Sequence, residues 1–217
     1  LDNWKTYGSD LPDLKPAYIK EDYHQLKNRI VYFETSRGCP YLCSFCLSAL
    51  DKTVRYFDDE IIFNQMENLI NAGVKKFKFV DRTFNLKPGR MKTLMEWLSQ
   101  FIGSEFHFEV VGDILTPDIL RFLETVPPGM FQFEIGIQTT DESVQESIDR
   151  KQNNQKLFDT IKTLLVQDRI HFHCDLIFGL PGENMGKILN SFREVLSLRP
   201  HELQLGFLKF LPGAPIK

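Results

Sequence analysis

The chain has only four cysteines in 217 residues, no surplus of positive charge and no long apolar run. Each shortage excludes a class of protein. Four cysteines are too few for a disulfide-stapled scaffold. With 26 Lys plus Arg against 29 Asp plus Glu, the formal net charge of −3 is wrong for a strongly basic nucleic-acid platform. The 19 Phe residues do not interleave with a basic patch, so nothing in the sequence points to a nucleic-acid partner. No stretch approaches the roughly 18 uninterrupted apolar residues of a membrane span, and the opening LDNWKTYGSDLPDLKPAY lacks the charged-then-apolar order of a secretory signal. These absences predict a soluble, cytoplasmic setting with no membrane partner. The first residue is Leu1 rather than Met, which suggests a piece of a longer protein.

What is present is the makings of a core. The chain is 42% hydrophobic, which excludes a disordered tail, and a chain this long can bury roughly 70% of its unfolded surface. Residues 1–28 are rich in Pro, Asp, Lys and Tyr without periodicity and read as a leading arm or interdomain linker. Residues 29–217 read as one domain. RIVYFETS (29–36) predicts a strand, and DDEIIFNQMENLINAG (58–73) repeats apolar residues at helical spacing. The pattern then recurs. VKKFKFVD (74–81) predicts a strand and KPGRMKTLMEWLSQFIG (87–103) a helix. FHFEVVGD (106–113) precedes TPDILRFLETV, with Thr116 as N-cap and Pro117 in the first turn. MFQFEIGIQ (130–138) precedes helices at about 141–148 and 155–167, and IHFHCDLIFGL (170–180) precedes one at about 185–198. ELQLGFLKFL (202–211) completes six strands.

Alternation of strand and helix predicts an α/β fold with a parallel sheet, and the strand faces narrow it. Phe131, Phe133, Ile135 and Ile137 oppose Gln132, Glu134, Gly136 and Gln138. Ile170, Phe172, Cys174, Leu176 and Phe178 oppose His171, His173, Asp175, Ile177 and Gly179. Phe106, Phe108 and Val110 oppose His107, Glu109 and Val111. Central strands of a doubly wound sheet are usually apolar on both faces. One polar face in three strands instead suggests a barrel or half-barrel whose lumen holds a polar ligand. An antiparallel sheet with one wet face would alternate likewise but conflicts with the interleaved helices. His171 and His173 read as hydrogen-bonded lumen residues, and Gly179-Leu180-Pro181-Gly182 as a strand-ending turn lacking the lysine of a phosphate loop.

The chemistry sits in TSRGCPYLCSFC, where Cys39, Cys43 and Cys46 form C-x3-C-x2-C in the loop after the first strand. In parallel βα folds that is the active-site face. Thiolates suit zinc and iron–sulfur clusters, and three of them leave one coordination position open. A closed structural zinc site would need a fourth ligand, with Cys174 or His24 as candidates, but Cys174 shares the apolar face of its strand. A barrel carrying a zinc or iron–sulfur knuckle, as a binding or electron-transfer module, is the alternative reading.

The spacing, with aromatic Phe45 just before the third cysteine, resembles the signature of the radical SAM superfamily. The resemblance covers nearly the whole chain from Arg29. It implies a partial (β/α)6 TIM-like barrel and an enzyme whose 4Fe-4S cluster, held by Cys39, Cys43 and Cys46, is completed by S-adenosylmethionine (SAM). Reductive cleavage of SAM yields a 5'-deoxyadenosyl radical that abstracts hydrogen from an organic substrate. It also implies an external one-electron reductant such as flavodoxin or ferredoxin. EIGIQTTDESVQESIDR, DLIFGLPGE and LGFLKFLPGAP are similar to segments of the branch that contains oxygen-independent coproporphyrinogen oxidases and cobalamin-dependent members. By motif position, Gln138, Arg150 and Asp175 match SAM contacts of that branch, with Glu109 as a further match. Arg150 could instead cap the helix that it ends. Where many members carry Gly-Gly-Glu, this chain reads FVDRTFN. Asp81 with Phe84 is similar to the Asp-x-x-Phe version of cobalamin-associated members, which makes Asp81 an acceptor for the SAM amino group or a cap for the next helix. The whole pattern is most similar to a bacterial group in which a cobalamin-binding domain precedes the radical SAM domain.

Overall fold

The computed structural model describes residues 18–216. Its strands are β1 (Ile30–Phe33), β2 (Ser36–Arg37), β3 (Arg55–Tyr56), β4 (Lys76–Phe79), β5 (Glu105–Val110), β6 (Phe131–Gln138), β7 (His171–Phe178) and β8 (Glu202–Phe207). Six of them form one parallel sheet in the order β1-β4-β5-β6-β7-β8. Each parallel step needs a crossover. The helices that supply them are α2 (Asp59–Asn71), α3 (Pro88–Leu98), α4 (Pro117–Leu123), α5 (Glu142–Ser147), α6 (Asn154–Gln167) and α7 (Met185–Leu198). A short α1 (Tyr23–Leu26) lies in the leading arm, of which residues 1–17 fall outside the described residues. Among the described residues no helix is long and apolar enough to cross a membrane.

Local chemistry sets the helix starts. Thr116 accepts from Ile119 N at the head of α4, which opens on Pro117, and Asp58, Asp141, Asn153 and Asn184 cap α2, α5, α6 and α7 in the same way. The strand expected to run to Leu211 ends at Phe207. As the sheet's last strand it pairs only with β7, and its residues are largely exposed.

The alternating faces divide as the sequence pattern requires. In β5 and β6 every apolar position is buried and every polar position half-buried. Phenylalanines line up in register across the buried face, Phe77 with Phe106 and Phe131, and Phe108 with Phe133 and Phe172. Phe79 stacks on Phe108 at 4.6 Å, and Phe84, from the turn after β4, closes on Phe108 at 4.4 Å. The core lies between this face and the helices. Cys174 belongs to it, with no exposed surface, while His24 is exposed on α1. Neither is among the residues that gather around the three loop thiols. The opposite, polar face carries Lys78, His107, Glu109, Glu134, His173 and Asp175.

Candidate active site

Antiparallel pairing of β2 with β3, Ser36 opposite Tyr56 and Arg37 opposite Arg55, closes the cysteine loop at its base. Cys39 N donates to Asp51 O at 3.0 Å and Cys46 N to Cys43 O at 3.0 Å, so the backbone turns back on itself around the thiols. Gly38 has φ +98, and a Cβ there would sit 2.2 Å from the Thr53 carbonyl oxygen. Gly38→Ala should therefore cost more than the roughly 1–2 kcal/mol of the left-handed backbone alone, because the clash is with main chain. Thermal unfolding with iron analysis checks this; wild-type stability and iron content would refute it.

A network joins the two ends of this loop. Asp81, immediately beyond β4, accepts from Thr35 N at 2.9 Å, Thr35 Oγ1 at 2.7 Å and Ser36 Oγ at 2.6 Å. Arg90 of α3 reaches Thr35 Oγ1 at 3.1 Å and pairs with Asp59 at 2.6 Å, while Phe57 N donates to Thr35 O at 3.0 Å. Asp81 is fully buried, and its carboxylate accepts all three of these donors from the exit of β1. The cap reading is corrected: Asp81 heads no helix, and three donors converge on it in the interior, apart from the residues that line the cleft beside the thiols. Asn85 makes a comparable clamp, its amide exchanging bonds with Val111 N and O at 2.9 and 2.8 Å. Neither Arg90 nor Asn85 belongs to a motif with an assigned role, although Asn85 closes the FVDRTFN segment and Arg90 follows it on α3.

Beside the thiols opens a cleft of about 180 Å³ at the C-terminal ends of the strands. Cys39, Cys43, Phe45, Cys46, Glu109, Gln138, Arg150 and Asp175 all line it, so every predicted residue except Asp81 meets there. Tyr41, Arg82, Thr83 and Lys151 line it too, without having been anticipated. Cys39 Sγ lies 3.7 Å from Thr83 Oγ1, and Arg150 Nη1 lies 3.8 Å from Cys43 Sγ. Burial pushes the Cys43 thiol up, and the Arg150 guanidinium pulls it partway back. The Arg150 backbone N–H closes the end of α5, donating to Gln145 O at 2.9 Å, while its side chain turns into the cleft. It donates to the Gly136 carbonyl and, at 2.9 Å, to Gln152 Oε1. Phe45 packs against Val144, Ile148 and Leu180, forming an apolar wall.

Two acceptors in this cleft are orphaned. Gln138 Oε1 and Asp175 Oδ1 are buried without a hydrogen-bond partner, an arrangement that costs free energy unless a ligand supplies donors. Gln138 sits at φ +69, where the β6–β7 register slips. Non-glycine backbone of this kind is strained and concentrates at functional sites. Burial pushes the Asp175 carboxyl up to about 6, with Glu134 and Glu109 adding to the effect and His173 opposing it. Burial and then Glu134 raise Glu109 as well. The donor set fits the cofactors that the resemblance implies: three thiols for the cluster, and unpaired acceptors for a ligand rich in amine and hydroxyl hydrogens.

A parallel βα sheet bearing three thiols on its first loop, above a polar-faced cleft, defines a protein built for a thiolate-bound centre next to a polar ligand. The chain belongs to the radical SAM superfamily, whose sequence profile matches residues 33–195. This family's chemistry is the cleavage of SAM at a 4Fe-4S cluster, and its members are enzymes that need a substrate and an external reductant. The chain is 27% identical over 202 residues to the cobalamin-dependent radical SAM methyltransferase TokK of Streptomyces tokunonensis, covering 85% of this chain and 28% of that protein. It is 25% identical to the 2-(S-pantetheinyl)-carbapenam-3-carboxylate methyltransferase of Streptantibioticus cattleyicolor, with the same coverage. It thus spans little more than a quarter of these relatives. Among solved structures, the radical SAM methyltransferase TsrM of Kitasatospora setae, with cobalamin and a [4Fe-4S] cluster bound, superposes with TM-score 0.76 at 15% identity, over 90% of this chain and 37% of that one. Coproporphyrinogen III oxidase of Escherichia coli superposes with TM-score 0.66 at 20% identity, over 90% and 49%. The six-stranded sheet is thus the partial barrel of this family.

Proposed function

We propose that this chain is the radical-generating domain of a cobalamin-dependent methyltransferase, with Cys39, Cys43 and Cys46 holding the cluster and SAM lying in the adjoining cleft. The observation that carries the reading is the meeting of three thiols with two orphaned acceptors, Gln138 Oε1 and Asp175 Oδ1, in one cleft. When bound, the cluster supplies the electron that cleaves SAM to a 5'-deoxyadenosyl radical. The remaining work belongs to side chains. Asp175, Gln138 and Glu109 accept ligand hydrogens. Arg150, braced by Gly136 and Gln152 beside Cys43, would pair with the carboxylate of the bound ligand. Phe45 and its apolar neighbours keep water from the radical. Residues 1–28 join this domain to an upstream cobalamin domain, the setting is a bacterial cytoplasm, the electron donor is of flavodoxin or ferredoxin type, and the methyl acceptor is an organic molecule rather than a nucleic acid.

Anaerobic reconstitution of the full-length protein tests this. The expected result is about four iron atoms per chain, cluster spectra altered by SAM, and methyl transfer that requires cobalamin. Zinc retained at about one per chain with no response to SAM would sink the radical reading. SAM cleavage with a methyl-transfer rate indifferent to cobalamin would sink the methyltransferase reading alone.

The raised Asp175 carboxyl carries a pH prediction. It is neutral below about 6 and ionised above, and the ionised form is the better acceptor. SAM affinity should therefore fall as pH drops through about 6, by at most tenfold per pH unit. Asp175→Asn should flatten that dependence in equilibrium binding between pH 5 and 7, and parallel profiles for the two proteins would exclude Asp175 as the titrating group.

A further inference from the structure

Deeper in the lumen than the cysteines, a second constellation spans three adjacent strands. His107 on β5, Glu134 on β6 and His173 on β7 point to the polar face, with Glu134 and His173 in direct register. Glu134 Oε2 lies 3.1 Å from His107 Nε2 and 3.6 Å from His173 Nε2, and the three atoms all fall within 4.8 Å of one another. All three side chains are half-buried; the two imidazoles do not line the cofactor cleft, and Glu134 stands at its floor, shared between the two. A rigid sheet fixes their spacing, because neighbouring strands stand about 4.8 Å apart.

We propose that His107, Glu134 and His173 form a second metal site, for a divalent transition-metal ion, separate from the three cysteines. Bonds of roughly 2.0–2.2 Å from such an ion put neighbouring ligands about 3.3 Å apart, which the two distances to Glu134 bracket. Two imidazoles and one carboxylate suit zinc or ferrous iron better than magnesium or calcium. The surroundings also call for positive charge. Glu109 stands in register with Glu134, and Asp175 Oδ1, orphaned, lies 3.8 Å from His173 Nε2. Lys78 is the built-in competitor: its Nζ is 3.2 Å from the same Glu134 oxygen. A metal ion displaces that ammonium, whose flexible four-carbon stem lets it withdraw. Three protein ligands leave positions open to the lumen, where an oxygen or nitrogen of a bound molecule can coordinate.

The test is Zn²⁺ added to the cluster-loaded protein, followed by zinc analysis after desalting and X-ray absorption at the zinc edge, which the cluster's iron does not obscure. About one zinc per chain with only nitrogen and oxygen neighbours near 2.0–2.1 Å supports the site. Loss of zinc on desalting, or sulfur in its shell, overturns it. His173→Ala and Glu134→Gln should each weaken binding at least tenfold and Lys78→Met should tighten it; unchanged affinity in all three overturns the assignment. Should a variant fail to fold, absorption on the unsubstituted protein decides.

Discussion

Replacing Cys39, Cys43 or Cys46 with Ala should remove the cluster and, with it, at least a thousandfold of the rate of 5'-deoxyadenosine formation, a loss of about 4 kcal/mol in barrier terms. Iron should fall from about four atoms per chain to below about one. The control lies in the same sequence. Cys174 is wholly buried among Phe172, Leu176 and their neighbours on the opposite face of the sheet, and burial pushes its thiol up to about 12. It stays protonated and makes a poor ligand. Cys174→Ala should leave iron content and radical formation intact while costing about 1 kcal/mol through a small cavity. Iron and sulfide analysis with single-turnover product measurement separates the two classes. Iron loss on Cys174→Ala would mean that the fourth cysteine reaches the cluster, and iron retention in Cys43→Ala would dismantle the assignment of the loop.

Asp81→Ala should be among the most destabilising single changes in the chain. Removing the carboxylate strands the buried Thr35 amide and two hydroxyls, Thr35 Oγ1 and Ser36 Oγ. An unsatisfied buried donor costs about 1–3 kcal/mol, the hydroxyls can rotate to other partners, and the expected total is about 3–4 kcal/mol, or roughly 10 °C in melting temperature for a chain of this size. Asp81→Asn keeps an acceptor for the Thr35 amide and should recover more than half of that. Burial pushes the Asp81 carboxyl up, against the pull of the Ser36 and Thr35 hydrogen bonds. Because Thr35 and Ser36 lead directly into the cysteine loop, the Ala variant should also hold iron poorly. The contrast with the family-based expectation is sharp. If Asp81 is chiefly a SAM contact, Asp81→Asn weakens SAM binding and leaves the melting temperature unchanged; if it chiefly ties Thr35 and Ser36, stability moves and SAM affinity, in protein that retains its cluster, stays.

Much of this molecule was legible along the chain. The alternation in β5, β6 and β7 separated core from lumen correctly because a strand's side chains alternate whatever surrounds them. Thr116 and Pro117 announced α4 because capping is settled within one turn. The C-x3-C-x2-C spacing on the first βα loop is likewise a local fact, and Phe45, Glu109, Gln138, Arg150 and Asp175 line the cleft beside it while Cys174 lies in the core. Asp81 lies apart from them, bonded to the exit of β1.

Other features depended on residues far apart in sequence. Arg90 meets Thr35 across 55 positions, Asp81 meets Ser36 across 45, and His107 meets Glu134 across 27. By itself the sequence determined which residues form strands and helices, which face of each strand is wet, and where the thiols cluster, since periods of 2 and 3.6 and a short ligand spacing are properties of contiguous chain. Only the tertiary structure decided that Asp81 ties down the exit of β1 ahead of the cysteine loop, that Gln138 and Asp175 are left wanting donors, and that two imidazoles share a carboxylate in the lumen. Strand register and the closing of buried hydrogen bonds select those partners, and both are fixed when the sheet assembles.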